Sequence, residues 1–408
     1  MSKNTLHLFQ GLGIELEYMI VRKDSLHVNP VCDEIIKAMA GSYTSDTEYK
    51  NIGWSNELVL HVIELKTPEP VNNLNNLDKF FAKSIKKINK LLDSYDSQLM
   101  PSGSHPFMNP EKETKLWPHE YNAVYQSYDK IFGCKGHGWS NLQSVHLNLP
   151  FANDDEFGRL HAAIRLLLPI IPALTSSSPI LDGHLTDYKD MRLAVYQNNQ
   201  KIIPSIAGEI IPERVFSKAE YENIILKKIY NDIAEYDKEN ILRYEWLNSR
   251  GAIARFDRNA IEIRIIDTQE APIVDMAIIF VIVETLKIMI NEVWTSYEKQ
   301  KLWLVKPLLN LFQEVIKYAE FTDIVDYEYL NIFNIKEKCS VKDLWEKIIS
   351  NIDFSGFSEL KSVINNIIEE GTLSTRIINK LNNNYSLENI TSVYKNLADC
   401  LNENKMFL

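Results

Sequence analysis

Two glutamates on one predicted strand are the residues of this chain best placed to bind a metal ion. Residues 13–21 carry apolar or aromatic side chains at every even position, which predicts a β-strand whose even-numbered side chains face the core. Glu15 and Glu17 then lie about 7 Å apart on the opposite face, where like charges repel unless something neutralises them. The pair could belong to a solvated sheet edge, or it could hold a hard cation such as Mg²⁺ or Mn²⁺.

Two later stretches carry polar side chains that could join this pair. A β-rich run over 57–66 contains Glu64 near its end and is stopped by Thr-Pro-Glu-Pro. Glu57 has the opposite parity, so it reaches the Glu64 side only from a preceding turn or a bulge. An alternating strand over 142–149 presents His146 between two other polar side chains. Taken alone, each of these residues could be structural.

Arginines near the middle of the chain point to an anionic ligand. We predict a third site strand over 250–267, with Glu262 and Arg264 on its polar face about 7 Å apart. Four arginines fall within 15 residues there, including Arg255, although the protein is acidic. Arg192, after a serine-rich turn, offers a fork for a carboxylate or phosphate. The alternatives are a surface ion pair for Arg192 and a neutralising pair for Glu262 with Arg264.

Composition excludes several classes of protein. The 408 residues carry a net charge of −11, which argues against a nucleic-acid or anionic-membrane partner held by bulk charge. The four cysteines form no Cys-x-x-Cys, so we expect reduced thiols rather than disulfides or a zinc site. Residues 1–10 lack the apolar segment of a signal peptide, and no apolar run predicts a membrane span. We therefore expect a cytoplasmic protein.

Familiar catalytic motifs are absent from the sequence. It contains no Gly-x-x-x-x-Gly-Lys-[Ser/Thr] loop, no His-Glu-x-x-His and no Gly-x-Ser-x-Gly. Any chemistry must therefore rest on carboxylates, His146 and arginines spread over antiparallel strands.

The remaining pattern predicts helices around these strands. Residues 42–56 are polar and predict turns, and the long polar segment 97–139 is a candidate lid or substrate loop. Periodic apolar positions predict the following helices: 33–40, 72–95, 153–171, 218–236, 273–298, 303–318, 341–351, 357–369 and 387–402.

In their order and spacing, the site residues carry a family resemblance. Gly13-Ile-Glu-Leu-Glu17 followed by tyrosine, then Glu57 and Glu64, His146, and Glu262-x-Arg264 resemble the glutamate–cysteine ligase family, and within it the carboxylate–amine ligase branch. The resemblance runs from about residue 10 to about residue 290. It implies an α+β fold, a glutamine-synthetase-like antiparallel sheet curved into a funnel with helices outside. We accordingly expect a catalytic domain over 1–300 and a helical C-terminal region, 301–408, packed on it.

The resemblance also implies an activity and a set of site residues. It implies ATP, Mg²⁺ or Mn²⁺, and an amide bond of γ-glutamyl type formed through an acyl phosphate. Arg264 and Glu262 are the implied catalytic residues, Arg264 and Arg255 the implied nucleotide contacts, and Arg192 the implied substrate contact. The implied metal ligands are Glu15, Glu17, Glu57, Glu64, His146 and Glu262.

Two other functions remain open from the sequence. The same scaffold could carry an ATP:guanidino phosphotransferase, or it could be a binding protein without catalysis. We expect small-molecule amino-acid substrates and no nucleic-acid or membrane partner, and a homodimer is compatible with the sequence. Nothing in the sequence identifies the acid, the amine or a preference for cysteine.

Overall fold

A large antiparallel sheet organises the fold. The structure is a computed structural model, and it describes residues 5–408. The strands are β1 (Gly13–Arg22), β2 (Asp46–Tyr49), β3 (Ile52–Asn56), β4 (Val62–Lys66), β5 (Ser97–Met100), β6 (Ser144–Pro150), β7 (Ile180–Leu181), β8 (His184–Leu185), β9 (Ala252–Arg255), β10 (Ala260–Asp267), β11 (Asp323–Ile324) and β12 (Cys339–Ser340).

Helices surround the sheet and form most of the C-terminal region. A π-helical turn joins α9 to α10. The helices are α1 (Cys32–Ala40), α2 (Leu77–Leu92), α3 (Pro110–Glu113), α4 (Asn122–Phe132), α5 (His137–Ser140), α6 (Asp154–Leu167), α7 (Pro172–Thr175), α8 (Met191–Tyr196), α9 (Lys218–Tyr221), α10 (Lys227–Ile233), α11 (Pro272–Ile290), α12 (Tyr297–Lys301), α13 (Val305–Tyr318), α14 (Tyr327–Ile332), α15 (Val341–Ser350), α16 (Ser358–Glu370), α17 (Leu373–Leu381) and α18 (Leu387–Glu403).

Strand β1 lies at the centre of an eight-stranded sheet, in which seven strands follow the order β2-β3-β4-β1-β6-β10-β9 and the eighth, β5, also pairs with β1. One edge of β1 is divided, because its first residues pair with β6 and its last four pair with β5. The side chains of Ile14, Leu16, Tyr18 and Ile20 on β1 are fully buried, as their alternation predicted. They belong to a hydrophobic core to which α2, α6 and α11 also contribute. The glutamates of β1 therefore face the other side of the sheet.

The C-terminal helices extend this core. Helix α16 packs against α11, and α18 packs against α2 and β5. Hydrophobic residues on both sides of residue 300 belong to one continuous core. The core is thus continuous across residue 300, and the division into a domain over 1–300 and a region over 301–408 stays a prediction. Within residues 5–408, no helix combines the length and the apolarity that crossing a lipid bilayer demands.

Three sequence predictions about strands were wrong in part. The turn-rich segment 42–56 contains the β2–β3 hairpin, whose strands are short and whose first strand is polar. The run over 57–66 is a strand only from residue 62. The stretch 250–267 folds back on itself as β9 and β10 rather than forming one strand. Several helices were not predicted, among them α4, α8, α14 and α17.

Candidate active site

Cross-strand pairing brings the predicted site residues to one face of the sheet. On β1, Glu17 lies opposite Glu64 of β4, and Glu15 lies opposite His146 of β6. One strand further, Glu262 of β10 lies opposite the next outward-facing residue of β6. Directly opposed residues have Cβ atoms about 5 Å apart, so the antiparallel register alone assembles this cluster.

His146 connects the carboxylates of β1 and β10. Its Nδ1 lies 3.0 Å from Glu15 Oε2 and 3.8 Å from Glu262 Oε1, and its Nε2 lies 3.0 Å from Ser144 Oγ. The Ser144 hydroxyl donates in turn to Glu17 Oε2 at 3.1 Å. Burial alone would lower the pKa of His146, but its hydrogen bond to Glu15 and the charges of Glu17 and Glu262 raise it to about 9. As a metal ligand, the imidazole would have to lose its proton.

Glu57 lies in the loop after β3. Its side chain therefore does not follow the alternation of β4 and can reach this cluster. Glu17, Glu57 and Glu64 each offer a carboxylate oxygen within 4.8 Å of the others. Desolvation and the charges of Glu17 and Glu64 raise the pKa of Glu57 well above its ordinary value. Ser55 Oγ and Lys66 Nζ donate to Glu64 Oε1 at 2.7 and 2.9 Å, and they orient this carboxylate.

A second potential metal-binding set overlaps the first. Glu15, Glu64 and His146 also offer ligand atoms within 4.8 Å of one another, so Glu64 belongs to both sets. Carboxylate oxygens with one imidazole suit Mg²⁺ or Mn²⁺, which prefer oxygen ligands. The residues therefore fit a divalent cation in each set, and a cation would relieve the repulsion that raises the pKa of Glu57.

Glu262 is part of an ion-pair network instead. Arg264 Nε and Nη2 both donate to Glu262 Oε1, at 3.0 and 2.6 Å, and Arg255 Nη1 lies 3.5 Å from Oε2. Burial would raise the pKa of Glu262, but Arg264, His146 and Arg255 lower it to about 2. Glu262 belongs to neither potential metal-binding set of the described residues. Its assignment as a metal ligand remains a prediction, and the paired geometry matches the ion-pair alternative.

Arg192 forms an ion pair, but the pair is buried rather than at the surface as that alternative expected. Its side chain is 2% exposed and pairs through Nε with Asp267 Oδ1. Asp267 Oδ2 accepts hydrogen bonds from Ser177 N and Ser178 Oγ, both at 2.9 Å. Asp267 thereby fixes the guanidinium while Nη2 has no hydrogen-bond partner in the described part of the chain.

Two cavities adjoin the carboxylate cluster. The first, about 220 Å³, is lined by Glu17, Glu57, Arg192 and aromatic side chains. The second, about 430 Å³, is strongly polar, and carboxylates and arginines line it. Glu57, His146 and Arg264 contribute to both cavities, so the cluster lies between two spaces that could hold different molecules.

Sequence reasoning missed several residues around the cluster. Ser144 and Asn148 are not among them, because the alternation over 142–149 had already placed both on the face of His146. Nothing in the sequence connects Asp267 to Arg192 or places Trp246 in a cavity. In the candidate lid 97–139, Tyr125 and Tyr128 line the first cavity, whereas Trp117 is fully buried in the core. Closure of this segment stays a prediction.

Comparison with known proteins identifies the family. The family described as "Glutamate-cysteine ligase family 2 (GCS2)" matches residues 11–396. This chain belongs to glutamate–cysteine ligase family 2. A relative over almost the whole chain is an "Uncharacterized protein" of Archaeoglobus fulgidus, which is 32% identical over 397 residues that cover 97% of this chain and 100% of that protein.

Two relatives of this chain that are named as ligases match only part of it. "Putative glutamate--cysteine ligase 2" of Corynebacterium glutamicum strain R is 26% identical over 199 residues, which are 46% of this chain and 46% of that protein. The same name applies to a protein of Rhodopirellula baltica, 25% identical over 44% of this chain and 46% of that protein. This chain therefore aligns with about half the length of these curated relatives.

Solved structures confirm the fold of this family member. Glutamate–cysteine ligase of Francisella tularensis, solved in complex with AMP, superposes with a TM-score of 0.61 at 11% identity, over 95% of this chain and 88% of that chain. A bifunctional glutathione synthetase of Pasteurella multocida gives 0.59 at 14% identity, over 96% of this chain and 52% of that one. The predicted α+β fold, with its antiparallel sheet, outer helices and C-terminal helices, is confirmed.

Proposed function

We propose that this member of glutamate–cysteine ligase family 2 is a carboxylate–amine ligase that uses ATP and Mg²⁺ or Mn²⁺. It joins an amino-acid carboxylate to an amine in an amide bond of γ-glutamyl type, through an acyl phosphate. The observation that carries the proposal is the pair of overlapping ligand sets that share Glu64 beside Arg264. Family membership and the ligase-type fold support it.

The proposed reaction needs two bond exchanges and no protein nucleophile. First, a carboxylate oxygen attacks the γ-phosphorus of ATP, the acyl–phosphate bond forms, and the bond to ADP breaks. The amine nitrogen then attacks the acyl carbon, the C–N bond forms, phosphate leaves with the bonding electrons, and the nitrogen releases a proton to a nearby carboxylate or water. Divalent ions, when bound, neutralise phosphate charge during the phosphoryl transfer.

Each part of the site has a role in this proposal. Glu15, Glu64 and His146 would hold one cation, and Glu17, Glu57 and Glu64 the other. Arg264 stabilises the charge on the transferring phosphoryl group, and Glu262 positions Arg264 by accepting from two of its nitrogens. Arg255 contributes positive charge on the nucleotide side, since it lines the polar cavity.

Product analysis tests the proposal directly. We would measure ADP, free phosphate and amide with Mg²⁺ and a panel of amino acids, singly and in acid–amine pairs. A ligase releases ADP and phosphate only when both substrates are present, and it forms the amide. A guanidino phosphotransferase would instead give a phosphorylated acceptor without free phosphate, and a binding protein would give no ADP. Either result would overturn the ligase.

A variant of the shared ligand links activity to the proposed metal site. Glu64→Gln removes one charge from both ligand sets while keeping the shape of the side chain, so we expect ADP release to fall by about 10²–10³-fold. Glu346→Gln, at an exposed position of α15, is the matched control and should leave ADP release unchanged. Normal ADP release by Glu64→Gln would separate this carboxylate from the chemistry.

A further inference from the structure

We infer that the aromatic-lined cavity binds the amine substrate, and that this substrate is an α-amino acid with a large apolar or aromatic side chain. The inference rests on the proposed ligase function, because it assigns one of the two substrates of that reaction. It is carried by three features of one cavity: an aromatic wall, a buried guanidinium with a free nitrogen, and carboxylates on a neighbouring wall.

Three aromatic side chains build the apolar wall. Tyr128 packs against Trp139 and Trp246, with ring centroids 5.2 and 6.1 Å apart. Two further aromatic rings stack on this wall: Phe132 on Trp139 at 5.5 Å, and Tyr244 on Trp246 at 5.7 Å. The rings are therefore held in place before any ligand arrives, and they offer a tilted aromatic surface that a small polar side chain would not use.

Arg192 supplies the anchor for a carboxylate. It lines the same cavity, is 2% exposed, and keeps Nη2 without a partner while Asp267 holds Nε. A buried donor without a partner costs free energy, so an incoming carboxylate oxygen would gain a charge-assisted hydrogen bond there. Because the guanidinium is already oriented by Asp267, little conformational entropy is lost when it binds.

The charges around the cavity orient an amino acid. Its carboxylate meets the positive charge of Arg192, whereas Glu17 and Glu57, which line the same cavity, belong to the ligand set that is proposed to hold a cation. The amine end would then lie on the side of the carboxylate cluster, where the acyl phosphate is proposed to form. A ligand with a cationic side chain is disfavoured, because Arg192 and Arg264 both line this cavity.

Binding measurements test the inference independently of turnover. Calorimetric titration with Mg²⁺ and a non-hydrolysable ATP analogue would compare phenylalanine with alanine, cysteine, lysine and phenethylamine, which lacks the carboxylate. We expect phenylalanine to bind tightest and phenethylamine about tenfold more weakly, since it loses the hydrogen bond to Arg192. The inference would be overturned if alanine or cysteine bound as tightly as phenylalanine, if lysine bound more tightly than phenylalanine, or if phenethylamine bound as tightly as phenylalanine.

A tryptophan pair provides the matched variants. Trp246→Leu should weaken phenylalanine binding by about tenfold, because it removes one ring of the wall. Trp303→Leu replaces a tryptophan of similar exposure that packs against Tyr329, so it should leave the affinity unchanged. If both variants and the parent protein bound phenylalanine with equal affinity, the aromatic wall would not contribute to its recognition.

The two proposals fail in different ways. Amide formation with cysteine but neither binding nor use of phenylalanine would overturn the aromatic substrate and keep the ligase. Phenylalanine binding that depends on Trp246, without ADP release for any acid–amine pair, would overturn the ligase and with it phenylalanine's role as a substrate.

Discussion

On the two halves of the sheet's polar face, a glutamate side chain is surrounded by charges of opposite sign. On the side of β3 and β4, Glu57 meets two further carboxylates, and its pKa is raised well above the ordinary value. On the side of β9 and β10, Glu262 meets two arginines, and its pKa falls to about 2. Both carboxylates have low solvent access, yet one is surrounded by negative charge and the other by positive charge.

The difference separates a half whose glutamate is already paired from a half that needs a cation. In the first half, Arg264 and Arg255 neutralise Glu262, and this pairing positions the arginines for the proposed phosphate contacts. The Glu57 half keeps an excess of negative charge that Lys66, paired with Glu64, offsets only in part. A bound cation would offset the remaining negative charge of this half. The comparison also implies that substitutions in the two halves have opposite effects on stability.

The largest expected effect comes from the arginine half. Arg264→Lys keeps the positive charge but loses the planar fork that donates twice to Glu262 Oε1. If Arg264 contacts the transferring phosphoryl group, turnover should fall by about 10²–10³-fold while nucleotide affinity falls modestly. Steady-state kinetics and nucleotide titration would measure the two quantities.

Arg159→Lys is the control for that variant. Arg159 donates to Glu292 and Asp155 at the surface. The same exchange at this position therefore measures the general effect of replacing an ion-paired arginine by lysine outside the site. Near-normal turnover by Arg264→Lys would make its pair with Glu262 purely structural.

The second prediction concerns stability in the arginine half. Glu262→Gln leaves Arg264 and Arg255 without their shared counter-charge in a buried place, so the free energy of unfolding should fall by about 3 kcal/mol. Glu292→Gln breaks an exposed pair with Arg159 and should change stability little. Chemical denaturation of both variants would measure the difference, and equal stabilities would contradict a self-neutralised half.

The smallest predicted effect has the opposite sign. In EDTA, Glu57→Gln should raise the free energy of unfolding by about 1 kcal/mol, because it removes one of three crowded charges. The thermal stabilisation by added Mg²⁺ should shrink at the same time. Glu48→Gln, exposed on β2, serves as the control. A less stable Glu57→Gln protein in EDTA would show that no repulsion needs relief there.

Much of this site was predictable wherever strand periodicity holds. The alternation of β1 and β6 correctly placed Glu15, Glu17 and His146 on one face, because side chains on a strand alternate regardless of what covers them. The parity argument also stated correctly that Glu57 needs a turn to reach Glu64. These conclusions required only local geometry.

The rest depended on tertiary contacts that no local pattern encodes. The strand β2 is four polar or aromatic residues long, too short and too exposed to show a periodicity. The pairing of Arg192 with Asp267 joins residues 75 positions apart, and the aromatic wall combines rings from three separate segments. Glu262 and Arg264 were placed on the correct face, but sequence parity could not tell an ion pair from a ligand contact.

The divided edge of β1 has a consequence for the synthesis of the protein. The partner that places His146 beside Glu15 lies 131 residues further along the chain, and Thr268, which donates to the backbone of Glu17, lies 251 residues away. A ribosome that adds about 5–20 residues per second delivers the first of these partners only on the order of ten seconds after β1. Until then the first part of this edge is unpaired and the strand has an exposed apolar face, which favours aggregation. The strand that carries Glu15 and Glu17 is thus made well before the partners that complete it, so we expect slow folding, as for other folds rich in non-local contacts.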